Sequence, residues 1–115
     1  MTTQQSILVV SHDLHLADVR KAVLEAAGFQ VISASSLKAV QEACQKDPHL
    51  VMIGYSLPPA EKRRVWAEVR EHCKAPILEL HKNEEPSLTA DVFFHRPDRP
   101  DDFLAAVRRI LTDAA

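Results

Sequence analysis

Few residues in this chain combine a reactive type with a telling position. Ser11, His12 and Asp13 stand directly behind the apolar run Ile7-Leu8-Val9-Val10, and His81 stands behind Ile77-Leu78-Glu79-Leu80. His12 or His81 could serve as a general base, but no activated nucleophile accompanies either. Gly28 and Gly54 are the only glycines, so no glycine-rich loop exists to cradle a phosphate. Cys44 and Cys73 have no metal-ligand spacing and read as free thiols. The six histidines form no stripe, and the formal net charge of -2 leaves no basic excess for nucleic acid. An enzyme is therefore the weakest class.

These residues are positioned by an alternation of short apolar runs and longer amphipathic ones. Ile7–Val10, Phe29–Ala34, Leu50–Ile53, Ile77–Leu80 and Val92–Phe94 read as five strands, rich in β-branched and apolar residues as sheets covered on both faces require. Between them, Leu16, Val19, Val23 and Ala26 recur at helical spacing and Gly28 is placed as a C′ residue. Ser35 or Ser36 can cap a helix carrying Leu37, Val40 and Cys44, which Pro48 ends. Pro58-Pro59 opens a helix carrying Val65, Val69 and Cys73, with Trp66 packed beside them. A last helix starts at Pro100 and carries Phe103, Val107 and Ile110. Residues 82–90 are polar, contain Pro86 and show no full helix.

One α/β domain over residues 1–115 follows. It is expected as a three-layer, flavodoxin-like sandwich with a five-stranded parallel sheet in the order 2-1-3-4-5. Ligands of such sheets bind beyond the carboxyl ends of the strands, which directs attention to the residues after Val10 and after Ile53. The 46% hydrophobic and 26% charged content is that of a globular chain. Met1–Gln5 has neither the basic nor the long apolar region of a signal peptide, and no apolar run spans a membrane. The expectation is a cytoplasmic protein, without membrane attachment.

In Ile7–Asp13, Ala27–Val31, Pro48–Pro58, Ala75–His81 and His95–Pro97, taken together in this order and spacing, the chain resembles the receiver (CheY-like) domain of two-component response regulators. That resemblance implies two acidic metal ligands after the first strand, a phosphoacceptor Asp after the third, a Thr or Ser after the fourth and a Lys-Pro after the fifth. Here Ser11 and His12 occupy the acidic positions, with Asp13 just beyond. Gly54 stands at the phosphoacceptor, His81 at the Thr/Ser position, and Arg96 at the Lys, followed by Pro97. Tyr55 and Ser56 carry hydroxyls beside Gly54 but cannot occupy its place. The interval from His81 to Arg96 is short for a receiver, so the family's fourth helix is expected to be shortened or absent.

Glycine cannot form an aspartyl phosphate, and a hard cation such as Mg²⁺ finds at most Asp13. The altered pocket admits three readings. It is vestigial, with Arg96 paired to Asp13 or Asp98; it binds an anion through Arg96 and the open backbone at Gly54; or His12, Asp13 and His81 hold zinc. His15, His49 and His72 read as exposed, His95 as pointing away from the pocket, and Lys62-Arg63-Arg64 as a solvated helix face. The expected function is a phosphorylation-independent pseudo-receiver that needs no cofactor and binds a protein partner or a second copy of itself. The rival is a small-ligand sensor, for an anion or a metal, using the altered pocket.

Overall fold

In a computed structural model, the described residues are 5–54, 57–80, 92–95 and 100–113. Strands β1 (Ser6–Val10), β2 (Gln30–Ala34), β3 (Leu50–Ile53), β4 (Ile77–Leu80) and β5 (Val92–His95) alternate with helices. The helices are α1 (Leu14–Ala26), α2 (Leu37–Cys44), α3 (Pro59–His72) and α4 (Pro100–Asp113). All strand pairs are parallel and the order is β2-β1-β3-β4-β5, as the apolar runs implied. The expectation of a shortened or absent fourth helix falls on residues 81–91, outside the described residues.

The sheet divides the core in two because successive side chains on a strand point to opposite faces. Leu8, Val10, Val51, Ile53 and Ile77 meet α2 and α3 through Val40, Cys44, Val65 and Val69. Ile7, Val9, Leu50, Met52, Leu78 and Leu80 meet α1 and α4 through Leu24, Phe103, Val107 and Ile110. Trp66 is half-buried against the first cluster, as expected of an aromatic beside an apolar helix stripe.

Local chemistry sets the ends of the elements. The Ser36 side chain accepts the Ala39 amide and caps α2. Gly28 has φ +98°, and the Gly28 and Phe29 amides donate to the Glu25 and Leu24 carbonyls in closing α1. The Arg70 guanidinium donates to the Ala75 carbonyl (3.1 Å), tying the end of α3 to the turn before β4.

One helix is rotated from its sequence-based reading. Val19, expected in the apolar stripe of α1, is 48% exposed, whereas Ala17, Arg20 and Leu24 are buried. The buried stripe thus runs through a charged residue, and the reason lies at the carboxyl edge of the sheet.

Candidate functional site

Ser11 leaves β1 at that edge and is buried. Its amide donates to the Ala34 carbonyl (3.2 Å), and its hydroxyl accepts the Asp13 amide (3.2 Å). The side chain is thereby spent on shaping the turn into α1, a local serine-to-backbone bond of a familiar kind. Gly54 leaves β3 beside it, its amide donating to the Val10 carbonyl (2.9 Å). The structure brings Ser11 and Gly54 together as the sequence implied.

Arg20 was missing from that reading. It is buried, and a Cβ placed on Gly54 would lie 2.8 Å from its Nη1, 3.3 Å from the Val10 carbonyl oxygen and 3.4 Å from Ser11 Oγ. A guanidinium from α1 therefore stands where any side chain at position 54 would begin. Gly54 is needed for that close approach, not for its backbone angle: among the described glycines only Gly28 has positive φ.

His12 and Asp13 are exposed. The His12 imidazole pairs with the Glu61 carboxylate on α3. Among the described residues, His12 and Asp13 belong to no cluster of metal-ligating side chains; the third residue of the zinc reading, His81, lies outside them. The groups that do cluster are Glu68, Glu71 and His72 on the outer part of α3. His81, Arg96, Pro97 and Asp98 lie outside the described residues, as do Tyr55 and Ser56. His15, His49 and His72 are exposed as expected, with His49 Nδ1 accepting the Ser6 amide (3.0 Å).

A second correction concerns Lys62. Arg63 and Arg64 are exposed, as expected of a solvated face, but Lys62 is 3% exposed and turns inward. Its ammonium lies 3.3 Å from the carboxylate of Glu79, which is fully buried on β4. Glu79 is in register with Ile53, the residue before Gly54. One signal for this pair was present in the sequence. An acidic residue inside a strand of a sheet covered on both faces has to find a cation or a donor. Cys44 and Cys73 are both buried free thiols, as read.

The edge thus holds a built-in guanidinium at the start of the position-54 side chain, a buried ion pair one register step away, and a serine used for backbone bonding. The three atoms nearest a side chain begun at position 54 are the Arg20 Nη1, the Val10 carbonyl oxygen and Ser11 Oγ. No protein-family model and no curated protein matches the chain. Solved structures do. A chain described as adenylate cyclase from Rhodopirellula baltica superposes with a TM-score of 0.82 at 20% identity, covering 97% of this chain and 90% of that one. A two-component response regulator from Clostridium difficile gives 0.80 at 17% identity, with 95% and 97% covered. The receiver domain of the hybrid histidine kinase CckA gives 0.76 at 20% identity, with 92% and 98% covered. The fold of this chain is the flavodoxin-like fold of CheY-like receiver domains.

Proposed function

We propose that this chain is a phosphorylation-independent pseudo-receiver, a non-enzymatic module that binds a protein partner in two-component-type signalling. The observation that carries this is the contact between Arg20 and the side-chain space of Gly54. Where a receiver presents a carboxylate nucleophile, this chain presents a glycine covered by a cation. Where a receiver holds Mg²⁺, it has a serine bonded to its own backbone and a histidine paired with Glu61. A population shift driven by phosphorylation needs a phosphoryl group with differential contacts in two states, and these residues provide no place to attach one. The buried Lys62–Glu79 pair further supports a single conformation, because it joins the first turn of α3 to β4.

The test uses acetyl phosphate with Mg²⁺, read by intact-protein mass, beside an active receiver as control. The chain is expected to gain no phosphoryl mass. Gly54→Asp is expected to gain none either: its new carboxylate would lie against Arg20 and form a charge-assisted pair, and the carboxylate metal ligands would still be missing. A phosphoryl adduct on the unmodified chain would overturn the reading. So would a protein partner, once in hand, whose affinity changed on adding the phosphodonor.

A further inference from the structure

A crevice adjoining the Gly54 site opens over the ends of β1 and β2, beneath the starts of α2 and α3. Its volume is about 290 Å³, just below the usual range for ligand pockets, roughly 300 to 1,000 Å³, which suits only a small ligand. Val10, Leu57 and Val65 form its apolar floor. Leu37 forms a wall and is 40% exposed, one of two large apolar side chains left so open among the described residues. It lies at the carboxyl edge of the sheet, beside the switch point between β1 and β3 rather than in it.

The polar rim selects the charge. His12 and Glu61 line the crevice but are engaged with each other. Arg64 lines it too, exposed and with no ion pair among the described residues. The first turn of α2 also borders it; its Ser36 cap takes the Ala39 amide and leaves the Leu37 and Lys38 amides to be satisfied from outside the helix. One open cation favours an anion. The Glu61 carboxylate close by disfavours a second negative charge on it.

We propose that this crevice binds a small amphipathic monocarboxylate, its apolar body on Val10, Leu57, Val65 and Leu37 and its carboxylate on Arg64. The site shares only His12 with the altered pocket and uses none of the chemistry of a phosphoacceptor. Its occupancy would give a chain without phosphorylation a different input. The proposal stands apart from the phosphorylation-independent reading, and its failure would leave that reading untouched.

The experiment is titration of the ¹⁵N-labelled chain with benzoate and octanoate, paired with benzyl alcohol and octanol as neutral counterparts and with phenyl phosphate as a dianion. Saturable amide shifts from the two carboxylates at low millimolar concentration are expected, confined to residues 10–12, 35–38 and 57–65. The neutral probes and phenyl phosphate should bind more weakly. Arg64→Ala should weaken carboxylate binding about fivefold or more, the worth of one modest charge-assisted contact. Leu37→Ala should weaken octanoate too. Arg64 is exposed and has no partner among the described residues, so its removal is not expected to disturb the fold. Absence of saturable shifts with both carboxylates would overturn the proposal. So would shifts centred elsewhere, binding unchanged in Arg64→Ala, or equal binding of the neutral probes.

Discussion

Lys62→Met should destabilise this domain far more than removal of a surface lysine, and the size follows from the buried pair. The ammonium and carboxylate are 3.3 Å apart, with side-chain exposures of 3% and 0%. At an effective dielectric constant of about 20, their attraction is about 5 kcal/mol. Burying the two ions costs several kcal/mol each, so the net worth of the intact pair lies near zero. Removing Lys62 deletes the attraction but leaves the carboxylate buried, at a cost of about 3–5 kcal/mol. Glu79→Leu should cost less. The lysine left behind starts from the first turn of α3 and has a four-carbon stem that can carry its charge outward, an escape denied to Glu79 on a covered strand. Lys62→Met combined with Glu79→Leu removes both charges and should return stability to within about 1–2 kcal/mol of the parent. Urea denaturation of the four proteins completes the cycle. For a domain of this size the Lys62→Met loss corresponds to roughly 12–20 °C in midpoint. If Lys62→Met costs less than about 1 kcal/mol and the two changes add, the pair is solvated and the reasoning from burial fails.

The remaining predictions concern Cys73 and Ser36. Burial, and secondarily the hydrogen bond and charge of Cys44, push the Cys73 thiol up from 9.0 to about 12. Native Cys73 should therefore resist iodoacetamide at pH 8 and react only on unfolding, as mass spectrometry of the alkylated peptide would show. Because the folded thiol holds its proton longer than the unfolded one, this group leaves stability unchanged below pH 9 and lowers it as pH rises from 9 to 12. In Cys73→Ala that part of the alkaline decline should vanish from the urea midpoints. Ser36→Ala removes the acceptor of the Ala39 amide (3.2 Å) and should cost about 1 kcal/mol in urea denaturation, with the unfolding slope unchanged and amide exchange in α2 accelerated.

Strand order and helix boundaries were legible because they rest on strong, local signals. A strand covered on both faces reads as an unbroken apolar run, and Ile7–Val10 and Leu50–Ile53 are such runs. Gly28, Ser36 and Pro59 mark ends through backbone chemistry alone. The facing of α1 was not legible in the same way. Leu16, Val19 and Val23 make an apolar stripe, and nothing local says that the helix turns to bury Ala17, Arg20 and Leu24 instead. An arginine counts against burial in any reading of pattern. Its burial here depends on a glycine more than thirty positions away that leaves room for its head group. Lys62 was hidden likewise, as the first of three basic residues of which only the other two face water.

These misreadings share one physical origin, and it bears on the function proposed. A receiver's edge balances its carboxylates with exchangeable charge, a metal ion and a transferred phosphoryl group. At this edge the cations are covalent parts of the chain. Arg20 reaches the side-chain space of position 54, and Lys62 meets Glu79 on β4. Charge supplied by side chains cannot be added or removed by a kinase, and a buried ion pair is costly to break from either side. The described charges of this edge are held within the fold, as the proposed reading requires. An input to such a domain would have to arrive through a surface the fold leaves open, and the crevice bordered by Leu37 and Arg64 is one.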